Sequence, residues 1–158
     1  MALDNIYFLI VGAFLLYHAY HLVRWLTCVP DFKSKVVLIT GGSSGIGEGL
    51  AKRFIEIGAS KVIIAARTLN ELNRVKSECK YPDRVEVCQI DLSKPEACEK
   101  ISKEHLASKN IDILINNGGL SMREEFVNTN IDTCKYIMDT NCMSHIALIK
   151  GIIPEMIA

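Results

Sequence analysis

The sequence predicts an α/β chain: a doubly wound parallel sheet of about four strands, preceded by an N-terminal transmembrane or membrane-anchoring helix. Three observations predict it. From Val36 onward, short apolar runs alternate with stretches of helical period, a β-α order that returns each strand parallel to the last. The first run, Val36-Val37-Leu38-Ile39, ends in a glycine-rich turn that opens a helical pattern. Ahead of it, Ile6 to Tyr17 are twelve consecutive apolar or small residues without a charge. The organisation expected is a hydrophobic anchor over 1–29, a linker over 30–34 around Pro30-Asp31, and a folded domain over 35–158.

Counted on to Val23, the N-terminal segment is 18 residues long, about the least that spans a hydrocarbon core. Tyr17, Tyr20 and Trp25 suit an interfacial aromatic belt. His18, His21 and Arg24 also fit a helix lying in the interface. A cleaved signal peptide fits less well, because Asp4 and no Lys or Arg precede Ile6. Arg24, Lys33 and Lys35 follow the segment and predict a domain on the cytosolic side of the membrane.

After Val36 the elements come in order. Ile46, Leu50, Phe54 and Ile57 share one face of the first helix of the domain. Lys61 to Ala66 reads as a short buried strand, and Thr68 to Glu71 has capping-box spacing for a helix with Leu69, Leu72, Val75 and Cys79 inward. Val85 to Ile90 is the third strand. Ser93 to Glu96 is a second capping box, with Pro95 tolerated in the first turn of a helix reaching about Ser108. Ile111 to Ile115 is the fourth strand, and a long helix starts near Asn130 and continues to the end of the chain.

The turn Thr40-Gly41-Gly42-Ser43-Ser44-Gly45-Ile46-Gly47 has the physical make-up of a phosphate site in a Rossmann-like arrangement. Gly41 permits a tight turn, Gly45 lets the backbone approach a pyrophosphate, and Gly47 lets the helix lie close to the strand. In such a sheet ligands gather beyond the strand C-termini. The second strand ends in Ala66-Arg67, where a carboxylate for ribose hydroxyls often stands. Arg67, 20 residues beyond Gly47, instead suits a 2′-phosphate, which favours NADP over NAD. After the third strand, Asp91 either accepts a hydrogen bond from an adenine amino group or caps the next turn. Asn116-Asn117-Gly118-Gly119 leaves room for a flat ligand, or is a turn. In the last helix Cys134, Ile137, Met138, Asn141, Leu148 and Ile149 fall on one face, which sets the Asn141 amide among apolar neighbours with a structural or a functional partner.

Composition narrows the rest. Eighteen basic and eighteen acidic residues give zero formal net charge, so no nucleic acid partner is implied. Six cysteines without a C-x-x-C pair suggest free thiols and no metal site.

Together, Thr40 to Gly47, Asp91, Asn116 to Gly119 and Asn141 in Met138-Asp139-Thr140-Asn141 resemble the short-chain dehydrogenase/reductase family from about Lys33 to Met156. Asn-Asn-Gly-Gly, Ser121, Arg123 and the N-terminal hydrophobic segment look like the membrane-anchored subgroup around its member 7. The resemblance implies NADP-dependent carbonyl reduction or alcohol oxidation. By it, Gly41, Ser43, Ser44, Gly45, Ile46 and Gly47 cradle the pyrophosphate and adjoining ribose, and Arg67 binds the 2′-phosphate. Asp91 and Leu92 contact adenine, and Asn117 and Gly118 contact the coenzyme nearer its reactive ring. Asn141 is the catalytic asparagine, which holds a water in the proton relay.

The sequence also departs from the family pattern. Ser144 stands where a glycine is common, and no Tyr-x-x-x-Lys occurs in the chain. The catalytic serine, tyrosine and lysine are therefore expected beyond Ala158, leaving the fourth strand an exposed edge and the chain poorly stable alone. The functional expectation is the cofactor-binding half of an oxidoreductase, with a catalytically inactive nucleotide-binding or regulatory protein as the alternative. A small lipophilic carbonyl or alcohol as substrate, a homo-oligomer, and the endoplasmic reticulum membrane as location complete the expectations.

Overall fold

The computed structural model describes residues 2–27 and 31–158, with side chains described over 10–25 and 31–158. The start of the expected linker at Pro30, residues 28 and 29 of the expected anchor, and the side chains of Ile6, Tyr7, Phe8 and Leu9 lie outside the described residues. The chain forms two compact units, residues 1–31 and Phe32–Ala158.

The first unit is one helix, α1 (Ala2–Thr27). Among the described residues no helix is long and apolar enough to cross a membrane; the first part of the expected span, Ile6 to Leu9, lies outside the described side chains. The helix forms as expected, with His18, His21 and Arg24 beyond Leu16.

The second unit is built on four parallel strands, β1 (Val36–Thr40), β2 (Lys61–Ala66), β3 (Val85–Gln89) and β4 (Ile113–Ile115), in the spatial order β3-β2-β1-β4. β1 and β2 are buried on both faces, which is why they read as unbroken apolar runs. Side chains alternate along them. Val37, Ile39, Val62 and Ile64 pack with Ala51 and Ile55 of α2 (Gly45–Glu56) and with Leu72 and Val75 of α3 (Leu69–Glu78). Leu38, Ile63 and Ala65 pack on the other face with Cys98 of α4 (Pro95–Ile101) and with Leu148 and Ile152 of α6 (Ser144–Met156). Helices on both faces make the sheet doubly wound, as expected. The order reverses between β1 and β4, and that is where a crevice opens.

Several elements differ from their sequence reading. Ile46 is 76% exposed, because the buried face of α2 runs through Gly47, Ala51 and Ile55, and Leu50 and Phe54 only flank it. Leu69 is also exposed, at the rim of the first turn of α3. Neither Thr68 nor Ser93 makes a side-chain cap; Lys94 precedes α4, and Ser93 is bound instead to Asp91. The fourth helix closes in a π turn (Ser102–Leu106) and a 3₁₀ turn (Ala107–Lys109), ended by Asn110 at a φ of +51°. β4 begins at Ile113; just before it the Asp112 amide donates to the Val36 carbonyl at 2.9 Å, and the Asp112 carboxylate accepts from the Val36 amide at 2.8 Å and from Lys35 at 2.8 Å. The last helix is α5 (Ile131–Met138), a π turn (Asp139–Met143) and α6 in succession, with the Asn130 side chain capping the Thr133 amide at 2.8 Å. β4 pairs with β1 alone and forms one edge of the sheet.

Candidate coenzyme site

The crevice begins with two loops locked together. Thr40, fully buried at the end of β1, accepts from the Asn117 amide at 3.0 Å and the Gly118 amide at 2.9 Å through its hydroxyl. Its hydroxyl proton points to the Ile115 carbonyl at 3.4 Å. Asn117 returns the bond, its side-chain amide donating to the Thr40 carbonyl at 3.0 Å. Gly41 turns the chain with a φ of +67°, and its amide donates to the Ala65 carbonyl at 2.7 Å. A Cβ on Gly47 would lie 2.2 Å from the Gly41 carbonyl oxygen, so α2 starts flush against the turn.

An anion can approach this turn. No atom lies within 4 Å of where a Cβ on Gly45 would stand, and Ser44 at the N-cap of α2 makes no side-chain capping bond. The first amides of a helix have no partner within it, so here they are left for a ligand. From behind, Arg74 of α3 donates to the Ser43 carbonyl at 3.1 Å and to Glu48 at 2.9 Å. Arg74 and Lys52 beside Glu48 hold its carboxyl down at about 2.

A cavity of about 390 Å³ runs from this turn along the strand ends. Of the residues expected at a site, Gly41, Ser43, Ser44, Ile46, Arg67, Asp91, Leu92, Asn117 and Gly118 line it together. Ile46, grouped by periodicity with Leu50 and Phe54 but expected by the resemblance at the coenzyme, is on its wall. Gly45 and Gly47 are not on the lining; they shape the turn behind it. Arg67 is exposed, its carbonyl held by Gln89 Nε2 at 2.8 Å and its guanidinium donating to the Tyr136 hydroxyl at 3.3 Å. Asp91 accepts from the Ser93 amide at 3.0 Å and hydroxyl at 2.8 Å, so it caps the turn and lines the cavity at once. Burial pushes its carboxyl up, but the two Ser93 bonds and the Arg67 and Lys94 charges outweigh this and hold it below the usual carboxylate range.

Asn141 is placed differently from its reading. It is exposed, on a neighbouring open hollow shared with Asn116, Asn117, Gly118 and His145. Its side chain accepts from the Leu120 amide at 2.9 Å and donates to the Leu120 carbonyl at 2.8 Å. Of the face expected, Leu148 is buried while Met138, Asn141 and Ile149 are exposed; the helix buries Thr140, Ser144 and Ala147 with it. Thr40 and Thr140 were quoted only within motifs and given no role, and Tyr136 and His145 were not singled out from the sequence. His145 lies 2.7 Å from the Gly118 carbonyl through Nε2, which must carry the proton, and 3.1 Å from Asn116 through Nδ1. Their one sequence signal is helical spacing: Tyr136 and Thr140, and Asn141 and His145, are each four apart.

The family model described as short chain dehydrogenase matches residues 35–158. This chain belongs to the short-chain dehydrogenase family. A Drosophila melanogaster relative named dehydrogenase/reductase SDR family protein 7-like is 40% identical over 131 residues, covering 78% of this chain and 39% of the relative. Dehydrogenase/reductase SDR family member 7B of Xenopus laevis is 33% identical over 158 residues, covering 94% of this chain and 48% of the relative. These matches bear out the resemblance to the member 7 subgroup. L-Sorbose reductase from Gluconobacter frateurii, in a crystal structure complexed with NADPH and L-sorbose, superposes with a TM-score of 0.70 at 28% identity. The match covers 80% of this short-chain dehydrogenase chain and 50% of that structure. The chain thus spans about half the length, or less, of the proteins it matches.

Proposed function

We propose that the chain is the coenzyme-binding part of an NADP-dependent oxidoreductase that interconverts a carbonyl and an alcohol. The observation that carries the reading is a single cavity with an open helix N-terminus at one end and Arg67, its only cation among the described residues, on its wall. Ser43, Ser44 and Ile46 would hold the pyrophosphate through backbone amides, and Gly45 and Gly47 give the turn its shape. Arg67 would take the 2′-phosphate through its planar fork. Asp91 and Leu92 would receive adenine, and Asn117 and Gly118 the end nearer the nicotinamide. When bound, the coenzyme supplies or accepts the hydride. Asn141 positions Leu120 beside that end, and in the family's manner would hold a water of the proton relay. Arg67→Asp in the complete protein should lower NADPH affinity more than tenfold and leave NADH affinity nearly unchanged, as expected for loss of a charge-assisted contact. Equal effects on both coenzymes would refute the assignment of Arg67.

The same reading places α1 against a lipid surface. Ile10, Phe14, Leu16 and Trp25 are each more than half exposed, and a helix apolar on several sides needs a cover. With it goes a proposed association with the endoplasmic reticulum membrane and a lipophilic carbonyl or alcohol as substrate; Arg24, Lys33 and Lys35 after the segment support a folded unit on the cytosolic side. Protease digestion of sealed microsomes should remove the folded unit; full protection would contradict it.

A further inference from the structure

Arg67 and Tyr136 are 69 residues apart, yet they meet at the cavity wall, the guanidinium donating to the phenol at 3.3 Å. The main chain of Arg67 is pinned by Gln89, so the contact fixes the direction of its side chain. Chemistry leaves the pair with donors to spare. An arginine has five N–H donors, of which the phenol takes one, and a phenol that accepts from arginine keeps its own O–H to give. Arg67 and Asp91 are the only charged side chains on the lining among the described residues, and Asp91 already accepts both Ser93 bonds. Tyr136 is the only aromatic there.

We infer that Tyr136 is a coenzyme-specificity residue: its hydroxyl donates to the 2′-phosphate of the coenzyme and holds the Arg67 fork against it. This rests on the NADP reading above. A 2′-hydroxyl in place of the phosphate offers neither the charge nor the acceptor oxygens that this pair matches.

The test is calorimetric titration of the complete protein with adenosine 2′,5′-bisphosphate and, separately, with adenosine 5′-monophosphate. Tyr136→Phe keeps the ring and removes the hydroxyl. It should weaken binding of the bisphosphate about tenfold and leave the monophosphate unchanged, the scale of one hydrogen bond to a charged group. In a double-mutant cycle with Arg67→Met, the two losses should be less than additive. Equal losses on both probes would make Tyr136 an adenine-packing residue and overturn the inference, as would no loss on either. If Arg67→Met alone discriminates between the probes, the NADP reading stands and the role of Tyr136 falls. If the unaltered protein binds neither probe, both fall.

Discussion

Arg74 and Ser43, 31 residues apart, are joined by a hydrogen bond of 3.1 Å from the guanidinium to the main-chain carbonyl. The same guanidinium binds Glu48 at 2.9 Å, Glu71 at 2.9 Å and Glu78 at 3.1 Å. α3 therefore braces the start of α2 and the turn before it. Isolated surface ion pairs are worth little, but here several charges share one arginine and converge on the anion-binding turn.

The brace titrates. Glu48 has its carboxyl held at about 2 against an ordinary 4.5 by the bonds from Arg74 and Lys52. A depressed folded-state pKa contributes stability that is complete above the unfolded value and is lost as the pH falls through the folded one. The unaltered protein should therefore exceed Glu48→Gln in urea midpoint by a constant margin above about pH 5. The margin should shrink between 4.5 and about 2, the two values that bracket the shift. A margin independent of pH across that window would contradict the brace.

Two glycines of α2 should respond with opposite sign. A Cβ on Gly47 would meet the Gly41 carbonyl oxygen at 2.2 Å, whereas one on Gly49 meets nothing within 4 Å. Gly47→Ala should cost about 1–3 kcal/mol by overpacking against backbone. Gly49→Ala should add about 0.5–1 kcal/mol through helix propensity. Denaturant unfolding of the two variants measures both, and a harmless Gly47→Ala would contradict the close approach.

Thr40→Val should destabilise by about 1–3 kcal/mol, since it leaves the Asn117 and Gly118 amides without the buried hydroxyl that receives them. Hydrogen exchange at those two amides is the direct readout. Unchanged protection there would remove Thr40 as the lock between the loops.

Asn141→Ala frees both main-chain groups of Leu120. In the complete protein it should lower kcat more than it weakens coenzyme binding, because Asn141 lies on the hollow beside the main cavity and does not line that cavity. Parallel losses in both would assign the residue a structural role alone.

Local chemistry was the legible part of this chain. β2 occupies the same residues as its buried run, and the glycine turn sits between β1 and α2 as its spacing required. Periodicity erred at Ile46 and Leu69, because at a helix start it cannot distinguish a core face from a cavity wall or a rim. Ser93 to Glu96 had capping-box spacing, yet Asp91, two residues earlier, captured Ser93 in a turn of its own. For Asn141, the apolar company was one helical step away, and the partner was a backbone loop 21 residues distant. Tyr136 and His145 were missed for the same reason: their meaning lies in contacts with Arg67 and Gly118 that only the folded sheet creates.

The central claim is that the cavity from the Gly41 turn to Arg67 receives a phosphorylated nicotinamide dinucleotide. Fluorescence titration of the complete protein with NADPH tests it most directly. Saturable binding at one site per chain, displaced by adenosine 2′,5′-bisphosphate, is the result predicted. Absence of saturable binding by a folded sample, or binding that the bisphosphate leaves intact, would contradict it.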